Sequence, residues 1–483
     1  MDSRRQNKSG QTGSDVLEID NDNLRELLQN NHEKQWISYT LPIPEIDPLA
    51  YVEQVSGEDH LYYWEHPEKD FALAAGGSAK VLKATGSNRF TDISEQSLQL
   101  RSNLVALSGV NHSLAKPILV GGYSFSDHNV HKMWKNFGAA RFVLPEWLIL
   151  KTGKLFALTL TVPCLNRTAD EVIDEFQVKC EEFHTRYESI KAFRPATGLS
   201  QESSAMLQAD SSFRDWEKQV NRSRQMISKG VFKKIVIARQ VDIESDRPIS
   251  VPRTMFYLRR QFPECFNFMI KVDGGPSFIG ATPERLVSLK RNMMQTEGLA
   301  GSISRGESAS EDMALGLSLM ESKKDRSEHD FVVKDIRNNL KRNKMQVKHP
   351  RQPGIKKLSN VQHLYTPITA EIIEDITLHE LAGMLHPTPA VGGFPKQAAV
   401  PYITEIEDID RGWYAGPVGW YSLNGSGEFA VAIRSAWVEG NRARLFAGCG
   451  IVKNSDPEKE WAETEMKLTP IIGALNQANK DMS

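Results

Sequence analysis

Cysteine is scarce in this sequence: there are four in 483 residues, Cys164, Cys180, Cys265 and Cys449. None forms a CxxC pair or a His/Cys spacing of the zinc type, which argues against structural zinc and for reduced thiols in a cytoplasmic protein. No apolar run reaches membrane-spanning length, and the opening "MDSRRQNKSGQTGSD" lacks the apolar core of a signal peptide, so no membrane insertion is expected. Charge of one sign is not in excess: the formal net charge is -2, and no global field points to nucleic acid or a lipid surface. GxGxxG and Walker loops are missing too, and the glycine pairs in "LAAGGSAK" and "ILVGGYSF" read as tight turns. The acid-free basic stretch at residues 337–357 contains no aromatic side chain to stack a base, and reads as a solvated loop after a helix.

What is present is an ordinary globular composition, with 40% hydrophobic residues, in a chain long enough to bury a substantial core. Residues 1–30 begin polar and are expected to be disordered. Strand-like runs such as "LYYW", "KLFALTLTVPCL", "KKIVIARQVDI", "CFNFMIKVD" and "SFIGATPERLVSL" do not alternate with helices as regular βα units. This predicts an α+β fold with antiparallel sheets. Helices are predicted at about 211–229, where Phe213, Trp216, Val220 and Ile227 recur at helical spacing before Gly230, at about 310–343, and at the end of the chain.

The final helix carries the strongest pattern. Ser455 reads as its N-cap, Pro457 as its first residue and Glu458 as the second half of a capping box. Glu460, Glu463 and Lys467 then stack on one face, while Trp461, Leu468 and Ile472 fall on another. A second carboxylate row, Glu321, Asp325 and Glu328, has helical spacing as well. Two carboxylates a turn apart suit a hard cation whose remaining oxygens come from substrate and water; the alternative is an exposed helix with an ordinary Glu463–Lys467 pair. Lys234, Glu284 and Arg434 lie inside apolar runs, where a charge must be either paired or functional. Together with a metal site they would suit acid/base chemistry on an anionic substrate.

The segments "KIVIARQ", "FIGATPERL", "GLAGS", "DRSEHDFVV", "VQHL", "LHPTPAVGGFPK", "WYAGPVGW", "VAIRSA", "FAGCGIV" and "EKEWAETEMKL" follow one another in this order. The set resembles the chorismate-utilising enzymes, most closely isochorismate synthases of the menaquinone pathway, with a looser match before residue 206. The resemblance implies two large antiparallel β-sheets packed face to face with helices outside, residues 31–205 being the N-terminal part of one fold and 206–480 the chorismate-binding catalytic region. It implies Lys234 as the base that activates water at C2 of chorismate and Glu284 as the acid that protonates the leaving C4 hydroxyl, which needs a neutral lysine and a protonated glutamic acid. It also implies Mg²⁺ on Glu328 and Glu463, with Asp325 and Glu460 behind them as outer or water-mediated partners. Substrate would be held by His363, Tyr414, Arg434, Lys467 and the backbone N–H groups of a glycine-rich turn at Gly448 and Gly450.

Ala390 stands where ammonia-using relatives usually carry threonine, which implies water as nucleophile and no obligate glutamine amidotransferase subunit. Ser302 and Cys449 depart from the usual threonine and alanine. A salicylate synthase, or a non-catalytic chorismate-binding relative, are the alternatives.

Overall fold

In the strand Leu61–His66 every residue is buried. Tyr62 and Trp64 point into one hydrophobic cluster, Leu61 and Tyr63 into another. Period-two alternation sends successive side chains to opposite faces, so this sheet is covered on both sides. The computed structural model describes residues 17, 19–127, 132–192, 206–210, 212–372 and 376–480.

Among the described residues there are two sheets, of 13 and 10 strands. Pairing is antiparallel except where Trp36–Pro42 meets Leu104–Ser108. Both sheets join the two halves of the chain: Phe266–Lys271 pairs with Leu61–His66 in the larger, and Pro417–Ser422 with Ile118–Tyr123 in the smaller. Between the sheets, Trp64, Phe268 and Phe278 of the larger cluster with Phe142, Val418 and Phe429 of the smaller. On its other face the larger sheet buries Tyr63, Ile149 and Leu445 against Phe176, Leu258 and Leu468 of three helices. The helix Lys323–Arg342 covers the smaller sheet through Val332, Ile336 and Leu340. The α+β architecture of two face-to-face sheets with outer helices is therefore present.

Several local expectations are corrected. Of residues 1–30, positions 1–16 and 18 lie outside the described residues, but Asn21–Asn30 is a helix capped by Asp20, with Leu24 fully buried. The predicted helix at 310–343 is two helices, Ala309–Glu321 and Lys323–Arg342. Ser322 closes the first and caps the second by accepting the Asp325 N–H. Glu321 therefore does not share a helix face with Asp325 and Glu328.

The last helix, Pro457–Lys480, starts with Pro457 as expected. Its cap is Asp456, whose Oδ1 accepts the N–H groups of Glu458 and Lys459 at 3.0 and 3.2 Å. Ser455 instead closes the preceding turn by accepting the Val452 N–H. Gly121 and Gly122 are strand residues, not a turn; a Cβ on Gly121 would lie 2.0 Å from the Arg141 carbonyl oxygen. The basic stretch is more than a loop. It ends a helix, buries Leu340 and Met345, and adds the strands Gln346–Lys348 and Gly354–Lys357 to the sheet edge.

Candidate active site

The site forms where the chain passes from one sheet to the other. Ser277–Thr282 belongs to the larger sheet and Arg285–Lys290 to the smaller, so Pro283 and Glu284 make the crossing. A second crossing runs back from Gly427–Val431 to Ser435–Glu439 through Arg434, whose φ is +52°. The crossings are bound together. The Val431 N–H donates to Glu284 O at 3.0 Å, the Ala281 N–H to Arg434 O at 3.1 Å, and Thr282 Oγ1 to Val431 O at 2.6 Å. Both side chains are thus carried by backbone hydrogen-bonded on two sides, where little conformational freedom is left.

Every site residue anticipated from sequence lines one cavity of about 310 Å³. Lys234 opens the strand Lys234–Ser245 and is 1% exposed. Its Nζ donates to Glu328 Oε1 at 2.7 Å. Glu463 and Lys467, one turn apart on the last helix, pair at 2.6 Å, and Lys467 Nζ also donates to Gly448 O at 2.9 Å. Glu460 lines the same cavity, as does Asp325, whose carboxylate accepts a hydrogen bond from the Ser322 hydroxyl.

Gly448 and Gly450 lie in the strand Arg442–Ile451 and not in a turn. The expected N–H groups survive this correction. The Val236 and Ala238 N–H groups point away from that strand, to Gly392 O and to Glu407 Oε1. Their register partners Gly450 and Gly448 must therefore also turn their N–H groups outward, by the alternation of antiparallel pairing. That strand edge lines the cavity, so two bare N–H groups face it. A Cβ on Gly450 would fall 2.6 Å from Lys234 Cε and 3.2 Å from Glu328 Oε1.

Burial and charge set the proton states. Burial, followed by the nearby Glu297 carboxylate, pushes Glu284 up to about 7. His363 is pushed down to about 3 by burial and then by Arg434 and Lys467, so it is neutral at neutral pH. Its Nδ1 is 2.8 Å from Ser302 Oγ, and its buried Nε2 has no hydrogen-bond partner among the described residues. Tyr414 is pushed up to about 12 by burial and remains a neutral donor. Burial raises Glu463, but Lys467 more than offsets this and holds it below the usual range, whereas Glu460 is raised by burial and then by Glu463.

A hard cation fits these donors. Glu328, Glu463 and Glu460 offer oxygen ligands, and Glu328 and Glu463 each lie within hydrogen-bond distance of a lysine Nζ. Among the described residues no three His, Cys, Asp or Glu side chains close on one point, so such an ion would draw further oxygens from a bound anion and water. Arg434, Tyr414, the outward N–H groups and Lys467 would receive a carboxylate.

Sequence reasoning missed the support of the site. Glu407 and Arg411 form a buried pair at 2.5 Å, and Arg411 also donates to Val236 O and Val391 O. The only sequence signal was an arginine beside "WYAGPVGW". Lys356 and Glu297, paired at 3.0 Å, were hidden in the basic stretch and in an otherwise uncharged strand.

A family model described as chorismate binding enzyme matches residues 22–476. The isochorismate synthase MenF of Bacillus subtilis is 33% identical over 452 residues, 91% of this chain and 93% of that protein. The salicylate biosynthesis isochorismate synthase of Pseudomonas aeruginosa is 36% identical over 445 residues, 89% of each. The solved structure of MenF, the menaquinone-specific isochorismate synthase from Escherichia coli, superposes with a TM-score of 0.74 at 25% identity, covering 94% of this chain and 98% of that one. No helix among the described residues is long and apolar enough to cross a membrane. With a family match that spans both sheets and the whole lined cavity, this chain belongs to the chorismate-binding enzymes.

Proposed function

We propose that the protein is an Mg²⁺-dependent isochorismate synthase that interconverts chorismate and isochorismate, acting without an amidotransferase partner and, like its MenF relatives, for menaquinone synthesis. The single observation that carries the reading is that Lys234 and Glu284 line one cavity, with burial holding Glu284 at about 7.

Lys234, in its neutral form, takes a proton from water as the water oxygen bonds to C2 of chorismate. The ring double bonds shift, and the C4–O bond breaks. Glu284 gives its proton to the departing hydroxyl, so one water enters and one leaves. A carboxyl near 7 keeps a large protonated fraction at neutral pH and still ionises without a large cost, which suits a general acid. Arg434, Tyr414, His363 and the Gly448 and Gly450 N–H groups hold the enolpyruvyl side. Ala390 puts no hydroxyl beside the attack site, which favours water. Glu328 and Glu463 would hold Mg²⁺, supported by Glu460 and Asp325; when bound it would neutralise the ring carboxylate of the substrate.

The test is chromatographic product analysis after incubation with chorismate, with and without Mg²⁺. Isochorismate in a mixture with chorismate, formed only with the metal, is the expected result. Salicylate with pyruvate would instead indicate a lyase, and unchanged chorismate would overturn the catalytic reading.

A further inference from the structure

Glu284 sits on a crossing of only two residues, and both peptide groups that flank its own unit are held by one ion pair. Glu297 Oε1 accepts the Arg285 N–H at 3.0 Å. Lys356 Nζ donates to that same oxygen at 3.0 Å and to the Pro283 carbonyl at 2.8 Å. The pair thus spans the residue before Glu284 and the residue after it. Glu297 is buried, its side chain 5% exposed against 23% for Lys356. Arg285 and Lys69, which also feel Glu297, pair with Glu428 at 2.7 and 3.9 Å, so Lys356 is the cation in direct contact with Glu297. The basic stretch thus supplies a lysine that no solvated loop would require.

We propose that Lys356 and Glu297 are positioning residues for Glu284: the pair clamps the crossing on both sides and sets the charge facing the carboxyl that donates the proton. The inference rests on the reading of Glu284 as general acid. The charged groups that face it are Lys234 from Lys234–Ser245, Glu297 from Met293–Ser304 and Lys356 from Gly354–Lys357, with Arg434 at the adjoining crossing and the Thr388 hydroxyl at 3.5 Å. Glu297 raises the carboxyl's proton affinity, and Lys234 and Lys356 lower it. The two members of the clamp therefore pull in opposite directions, and a purely structural pair would not be distinguished by sign.

Glu297→Gln keeps an acceptor for the Arg285 N–H and removes one negative charge; Lys356→Met removes the cation and leaves Glu297 in place. The Glu284 carboxyl is titrated without substrate by infrared spectroscopy, as the protonated-carboxyl band that disappears in Glu284→Gln. The alkaline limb of kcat for chorismate is measured beside it. The expected result is a midpoint lowered by about one pH unit in Glu297→Gln and raised by about one in Lys356→Met, with Lys356→Arg returning it toward wild type. Midpoints that move in the same direction, or a midpoint unmoved in Glu297→Gln, overturn the proposal. Should Lys356→Met not fold, Glu297→Gln alone decides. The infrared titration needs no turnover, so a protein that converts no chorismate refutes the proposed function while this measurement stays decisive.

Discussion

Lys234 and Glu328, 94 positions apart in the chain, meet through Nζ and Oε1 at 2.7 Å. The side chain proposed as base is thus held by a carboxylate proposed as metal ligand. Replacing Lys234 with alanine should reduce turnover at least ~10³-fold, the scale of a lost general base. Calorimetric Mg²⁺ binding should persist, because both carboxylates remain. Full activity in Lys234→Ala would remove this residue from the mechanism.

Glu463→Gln tests the metal assignment without relying on turnover. Loss of one charged oxygen ligand should weaken Mg²⁺ binding at least ~10-fold by calorimetry. An unchanged titration would move the metal elsewhere.

The pH dependence follows from Glu284. Burial and then Glu297 hold its carboxyl at about 7, above the ordinary carboxylate value, and the proposed forward reaction uses the protonated form. The rate of isochorismate formation should therefore fall as pH rises through about 7. Glu284→Gln should lower kcat by roughly 10²–10⁴-fold and abolish that limb. A limb that persists in the glutamine variant would belong to another group.

Ala390 lines the cavity next to Val391, whose carbonyl accepts from Arg411 at 2.9 Å. Ala390→Thr introduces a hydroxyl there. With ammonium salts present, the variant should yield an aminated product detectable by mass spectrometry, with less isochorismate. If no aminated product forms, Ala390 is not a sufficient switch between the two nucleophiles.

Glu407 and Arg411 are almost fully buried, with side chains 2% and 4% exposed. They tie the strand of Lys234 to the loop of Ala390 through the Ala238 N–H, Val236 O and Val391 O. Glu407→Ala leaves a guanidinium buried without its carboxylate, and should destabilise the fold by about 3–5 kcal/mol, read from urea unfolding midpoints. A change below about 1 kcal/mol would mean that Arg411 finds other acceptors.

Much of the site was legible because helical and strand periods are local. Glu463 and Lys467 share a face of the last helix, and Leu468 packs into the core from another. Trp461 turned out to pack differently from Leu468: it lies under the Arg239 guanidinium at 3.8 Å and beside Phe213 at 5.5 Å. The break at Ser322 was missed although Ser322 and Asp325 have the local spacing of a helix cap: the apolar period runs on through it, and the bond from Asp325 N–H to Ser322 Oγ ends one helix and starts the next. Nor was the strand at Gly121 and Gly122, where glycine is required by the approach of a neighbouring strand from elsewhere in the chain.

By itself the sequence determined the chemical inventory, the ordered motifs and the faces of individual elements, because composition and short-range period are properties of the chain alone. Only the tertiary structure decided which partners meet: Lys234 with Glu328, the Glu284 crossing with the Arg434 crossing, and Lys356 with the Pro283 carbonyl beside Glu284. The reason is physical. Those contacts depend on sheet order and on where strands leave one sheet for the other, and burial at the crossing holds the Glu284 carboxyl above its usual value.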